Sequence, residues 1–257
     1  MPRTVVCFKW VPDEGELRVD RSTHEIDTTT ARRLISAYDR NAIEAARRLA
    51  AEVGGDLVGL TVGGPGAKAA LKDALARGVD EAVHVVGPEE VDGHVTAHLL
   101  AAQVRSTPDV GLVVCGEGAA DTYAHEVGPR LGELLGWPVV TNARSVEVHG
   151  RTLVAERVVG ADAETVECDL PAVVTVLPEI GPAPIPGLKA VLAAARRPTT
   201  QVLAADLGFD EPGLARRTRV NRLVALATER SHTVISEGTA AEKADALLEA
   251  LTQRGAL

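Results

Sequence analysis

Compact apolar runs recur along the first two thirds of the chain, separated by amphipathic stretches and by turns rich in glycine or proline. Residues 4–10, 57–62, 82–86, 110–115 and 172–176 are short and nearly unbroken in apolar character. That is the signature of strands covered on both faces of a parallel sheet. Between them apolar positions repeat at helical spacing. Ile43, Ala46, Leu49 and Ala50 follow Asp39, which reads as a helix cap, and Gly54-Gly55 ends the run. A second helix carries Ala70, Leu71, Ala74 and Leu75 and stops at Gly78. A third spans about residues 94–105 behind Asp92, and a fourth runs from about 124 to 135. Alternating strands and helices predict an α/β fold with a mostly parallel sheet.

Beyond residue 140 the period changes. Residues 145–148, 152–158 and 165–169 alternate around His149-Gly150 and Gly160, which predicts an antiparallel meander added to the sheet. Residues 17–27 read as a surface hairpin turning at Ser22-Thr23. The stretch 178–187 holds Pro178, Pro182, Pro184 and Pro186 and is expected to be an exposed, stiffened loop. A short helix, 188–195, follows. From residue 207 the chain reads as a linker with basic residues at 216–222. A terminal helix follows, opened by the capping box Thr239-Ala240-Ala241-Glu242, with Leu247, Leu248 and Leu251 on one face. The expected division is 1–206 as an α/β body and 207–257 as a C-terminal linker and arm.

Composition narrows the function. Only six of 257 residues are aromatic and the net charge is −9. Base-stacking platforms need exposed rings, and phosphate-backbone binding needs clustered Lys and Arg, so no nucleic-acid partner is expected. No stretch reaches the roughly 18 apolar residues of a membrane span, and the start of the chain lacks a signal-peptide core. Cys7, Cys115 and Cys168 are far apart and odd in number, which predicts small buried thiols in a reduced, cytoplasmic protein.

Candidate chemistry lies in loops after the C-terminal ends of the predicted parallel strands, where ligands of open α/β sheets collect. One begins at Lys9 and faces the stretch Ser36-Ala37-Tyr38-Asp39; a second is Gly63 to Gly66. The third is Gly116-Glu117-Gly118-Ala119-Ala120-Asp121-Thr122-Tyr123, followed by a helix. Glycines let backbone approach an anion, and a helix start offers free N–H groups. Asp121 or Thr122 could cap that helix. The spacing leaves two readings open, an anion cradle or an ordinary strand–helix turn. His94 and His98, at i and i+4, lack a third metal ligand in reach and read as a solvated or capping pair. No phosphate-binding motif of the Walker or dinucleotide type, no nucleophile elbow and no zinc-protease motif is present. The side chains form no acid–base or nucleophilic constellation, so no catalytic residues are expected.

Several segments together resemble a family. Lys9-Trp10-Val11-Pro12-Asp13, the stretch from Tyr38-Asp39-Arg40-Asn41 through Ala46, and Gly116 through Pro129 are similar to the beta subunit of electron-transfer flavoproteins. Ile185-Pro186-Gly187-Leu188-Lys189-Ala190 and Ala205-Asp206-Leu207-Gly208 extend the likeness, so that it covers roughly residues 3–210. The Fix-type branch, associated with nitrogen fixation or carnitine metabolism, is the nearest in character.

The resemblance implies an adenine-nucleotide-hydrolase-like (HUP-type) domain with a C-terminal partner-binding arm. It implies a heterodimer with an alpha subunit that shares the redox FAD, and AMP or a second FAD in the beta-subunit site. By matched position that site comprises Cys7, Lys9, Ser36, Ala37, Tyr38, Asp39 and Gly63. It continues through Gly116, Glu117, Gly118, Ala119, Ala120, Asp121, Thr122, Tyr123, Ala124, His125, Glu126 and Val127. Leu188 matches the anchor of a recognition loop that docks on an acyl-CoA dehydrogenase-type donor, and a quinone oxidoreductase-type or ferredoxin-linked acceptor completes the chain of partners. Where many relatives carry a lysine run after the anchor, this sequence has only Arg196-Arg197. The alternative from another class is a stand-alone nucleotide-binding regulator of universal-stress type, whose usual glycine-rich motif near the last strand is missing.

Overall fold

A computed structural model describes residues 2–226 and 232–256; Met1, the part of the expected arm at 227–231, and Leu257 lie outside the described residues. β1 (Arg3–Cys7) opens the fold. The apolar run expected at 4–10 is broken after Cys7, and Trp10 begins a separate strand, β2 (Trp10–Pro12). The expected hairpin forms from β3 (Arg18–Val19) and β4 (Ile26–Asp27). β5 (Arg33–Ile35) pairs with β2 and leads into α1 (Ala37–Val53). The helix begins earlier than expected. Ser36 is its flanking residue, and Asp39 is no cap but a buried residue of the first turn.

The repeating unit then runs β6 (Leu57–Gly63), α2 (Ala70–Ala76), β7 (Glu81–Val86), α3 (Gly93–Ser106), β8 (Val110–Gly116) and α4 (Val127–Leu135). Asp92 caps α3 as anticipated, its Oδ1 accepting from Val95 N–H at 3.0 Å. The start of α4 differs from expectation by three residues. Residues 117–126 stay irregular because Tyr123 and His125 adopt left-handed φ values of 45° and 55°. Neither Asp121 nor Thr122 caps the helix.

The meander comprises β9 (Val139–His149), β10 (Thr152–Val159) and β11 (Asp162–Asp169), and β12 (Ala172–Val176) returns to the centre. β9 starts six residues before the expected 145 because its first part runs parallel to β12 and only its second part pairs antiparallel with β10. α5 (Leu188–Ala194) and β13 (Thr199–Leu203), an edge strand with no sequence expectation behind it, precede the arm. The arm ends in α6 (Ala240–Gln253), whose capping box is formed.

Nine strands make one sheet in the order β11-β10-β9-β12-β8-β1-β6-β7-β13, parallel except at β9–β10 and β10–β11. This is a Rossmann-like α/β domain of the HUP-type class. Alternate residues of the central strands serve opposite faces. Val6, Leu112 and Val174 meet α1 and α2, while Val5, Cys7, Val113 and Cys115 meet α3 and α4. Trp10 packs against the first core and Trp137 against the second. Burying each Val or Leu side chain contributes roughly 1.5–3 kcal/mol, so cores made of aliphatic residues suffice.

The arm is attached differently. Asp92 Oδ2 accepts from the N–H groups of Arg217 and Thr218 at 2.6 and 2.9 Å, and Arg216 pairs with Glu90. Residues 223–225 lie along the hairpin, bridging Glu25 to Val224, with Arg222 on Glu25. α6 buries none of its residues.

Candidate functional site

Strand order reverses between β1 and β8: β6 and β7 lie on one side of β1, and β8 and β12 on the other. At such a switch point the loops leaving the strand ends diverge and open a crevice. The ends of β1 and β8 carry Lys9 and Gly116, and the candidate residues converge around them.

Asp39 forms the floor. Its carboxylate accepts from the Lys9 N–H at 2.8 Å and receives a further backbone contact from Gly116. Lys9 is also held from its other side, its carbonyl accepting from the Ser36 N–H at 3.0 Å. Asp39 is 6% exposed. Burial pushes its carboxyl up to about 7, against the opposing pull of the Lys9 and Gly116 contacts. A Cβ on Gly116 would lie 2.7 Å from Asp39 Oδ1, so glycine is required for this approach.

The loop above the floor holds itself in place. Ala120 N–H donates to Ser36 Oγ at 3.2 Å, and Tyr123 N–H donates to the Ala119 carbonyl at 2.8 Å. The Tyr123 hydroxyl donates to Glu117 Oε1 at 2.7 Å, and this bond together with burial raises the phenol well above its ordinary range. Its ring stands 4.9 Å from Tyr38 and 4.1 Å from His125. A Cβ on Gly118 would meet the Tyr123 ring at 2.8 Å. Lys9 reaches across the opening to Asp121, Nζ to Oδ2 at 2.6 Å. The N–H groups of Gly118, Ala119 and Asp121 donate to no acceptor among the described residues. The cradle therefore offers backbone donors, one lysine and aromatic faces, a set suited to a phosphate-bearing ligand with a flat ring.

Not every candidate joins this cluster. Gly63 ends β6, and its carbonyl is taken by His84 Nε2 and the Gly87 N–H, both at 3.0 Å. Glu126 turns away to Arg130 at 3.0 Å, and Val127 packs with the core on the α3–α4 side. Ala37 sits at the start of α1, and Thr122 and Ala124 are exposed on the loop. Cys7 and Cys115 lie below the cradle. Their mutual hydrogen bond and burial raise the Cys7 thiol well above its ordinary range. Cys168 is only partly buried, which corrects the expectation that all three thiols are enclosed. His94 and His98 stack at 4.2 Å, and burial together with the second imidazole lowers His94. Among the described residues no cluster of three or more His, Cys, Asp or Glu could hold a metal.

Three buried polar residues near these strand ends carried no expectation: Thr61 on β6, His84 on β7 and Thr175 on β12. Thr175 Oγ1 accepts from the Asn142 N–H at 3.0 Å, whereas the Thr61 hydroxyl has no partner among the described residues. The available signal was a single polar residue inside an otherwise apolar run.

Leu188 lies elsewhere, at the start of α5. It is 75% exposed and Ile185 is 92% exposed. The proline-rich loop that presents them is fastened by Asn41 to the Pro178 carbonyl, by Arg48 to the Ile180 carbonyl and by Arg77 to the Pro184 carbonyl. No helix among the described residues is long and apolar enough to cross a membrane. A family model described as the electron transfer flavoprotein domain matches residues 23–207, more than half of the chain.

Proposed function

The chain belongs to the electron transfer flavoprotein domain family, and on that premise we propose that it is the beta-type subunit of a two-subunit electron carrier of the Fix-type branch. The observation that carries this reading is the cradle at the β1–β8 switch point. Its geometry suits an adenine nucleotide, either AMP or the adenylate half of a second FAD. Gly116 and Gly118 let Asp39 and Tyr123 close in where a Cβ would collide, and the loop N–H groups and Lys9 would receive the phosphate oxygens. Tyr38 and Tyr123 offer ring faces beside them. Lys9, Asp39 and the 116–126 loop would hold the nucleotide.

Bound flavin supplies the redox chemistry. The chain's own residues bind, orient and dock. In this reading the redox FAD is shared with an alpha-type subunit, and residues 207–257 form the arm that reaches it. The exposed apolar residues Leu226, Val234, Leu247 and Leu248 support a covering partner for that arm. Leu188 and Ile185, held out by a fastened proline-rich loop, suit docking on an acyl-CoA dehydrogenase-type donor, because a stiffened loop loses less entropy on binding. A quinone oxidoreductase-type or ferredoxin-linked protein would accept the electrons.

Co-expression with the alpha-type subunit, followed by acid extraction, tests the reading. One FAD with one AMP, or two FAD, per heterodimer is expected. A flavin-free complex, or a stable nucleotide-binding homodimer with no affinity for the alpha-type subunit, would overturn it in favour of a stand-alone nucleotide-binding regulator.

A further inference from the structure

We infer that Asp121 is a built-in competitor of the anion for Lys9, its carboxylate occupying the lysine until a phosphate group displaces it. The inference rests on the reading of the cradle as a nucleotide site and adds its regulation.

Four observations support it. First, residues 116–127 contain three carboxylates and no Lys or Arg, so the loop supplies no such cation of its own, and Lys9 is the one that pairs with its Asp121. Second, the neighbouring carboxylates are committed elsewhere. Glu117 takes the Tyr123 hydroxyl, Glu126 takes Arg130, and Asp39 takes backbone N–H groups. Asp121 is the one that takes Lys9, at 2.6 Å.

Third, the loop does not depend on that ion pair for its shape, since Ser36, Glu117 and the Ala119 carbonyl already fix it. Fourth, the pair is partly solvated, with the Lys9 side chain 44% and the Asp121 side chain 26% exposed. Such pairs contribute little, so Asp121 can be displaced.

The lysine's backbone is pinned on both sides, by Asp39 and by Ser36. Displacing Asp121 therefore frees the ammonium without moving β1. A phosphate group can replace the carboxylate because its several oxygens would accept both from the Lys9 ammonium and from the unused N–H groups of Gly118 and Ala119. A neutral nucleoside gains nothing at Lys9. Lys9 thus favours phosphorylated ligands over neutral ones, and Asp121 tempers that preference.

The test is equilibrium exchange of labelled AMP, with FAD in a parallel series, into the full chain together with any co-purifying subunit. Asp121→Asn should tighten the nucleotide that wild type takes up by about three- to fivefold and leave adenosine unchanged. Lys9→Gln should weaken that nucleotide, and the K9Q/D121N double variant should match K9Q, because the gain acts through the lysine. Circular dichroism melts check that the variants are folded. An Asp121→Asn affinity equal to or weaker than that of a nucleotide-binding wild type would show the pair to be a clamp and overturn the inference alone. Absence of AMP and FAD uptake by folded wild type would overturn the nucleotide reading and this inference with it.

Discussion

The floor of the cradle and the anchorage of the C-terminal arm use the same device in opposite surroundings. In each, an aspartate near a helix start accepts backbone N–H groups from a distant segment. Asp39 is enclosed and ties together the ends of two central strands, and burial outweighs its hydrogen bonds and raises its carboxyl to about 7. Asp92 lies near the surface. Burial acts against its charge there too, but contacts from Val95, Thr218 and Arg217 together prevail and lower it to about 2. The number of donors and the access of water, not the residue type, decide the sign. The wider regions differ in the same sense: the cradle rests on a dry aliphatic core, and the arm is held by polar contacts around an apolar surface of its own.

The largest effect should come from the core beneath the cradle. Leu112, on β8, is 1% exposed, and Leu112→Ala should cost about 2–5 kcal/mol in urea denaturation. Leu247→Ala on α6 removes the same atoms from an exposed face and should change the chain's own stability by less than about 0.5 kcal/mol. Equal losses would mean that the arm is part of the cooperative core, and the contrast would collapse.

Next in size is the pH response. The folded Asp39 carboxyl keeps its proton to higher pH than its unfolded counterpart, so from about pH 4 to 7 the native state binds more protons. Its contribution to stability should fall as pH rises through that window, by at most about 1.4 kcal/mol per pH unit. Asp39→Asn should flatten that part of the profile, and parallel wild-type and variant curves would refute the assignment. Asp92 has the opposite sign. Its contribution is present above about pH 4 and is lost as pH falls toward its folded value of about 2.

The smallest effect separates the two oxygens of Asp92. Oδ1 caps α3 and Oδ2 holds the arm. Asp92→Ala should cost about 1 kcal/mol and speed tryptic cleavage near Arg216 and Arg217. Asp92→Asn keeps one acceptor for the cap but turns an amide toward the arm's donors. It should speed cleavage with little loss of stability. Unchanged cleavage in both variants would show that the arm is held by something other than Asp92.

The parts of the fold legible in the sequence were those in which burial dictates composition. β6, β7, β8 and β12 are nearly unbroken apolar runs because both faces are covered. Edge strand β13, Thr199–Leu203, lacks that constraint and left no comparable signal. Asp39 was legible as a residue of the helix start but not as the buried floor, because a cap and a buried first-turn carboxylate look alike in sequence. The delayed start of α4 follows from left-handed backbone at Tyr123 and His125, residue types that do not announce it. The cradle segments were visible as separate stretches, whereas the ties among Lys9, Ser36, Asp39 and Asp121 depend on strand order, which a linear pattern does not encode.

The scarcity of aromatic residues has an optical consequence. The chain's two tryptophans divide between the layers, Trp10 against the α1–α2 side and Trp137 against the α3–α4 side. Each is thus a native fluorophore for one face of the sheet. Removing either in turn leaves a single tryptophan, so that, with excitation selective for the indole, the loosening of the two layers can be timed separately without an added dye.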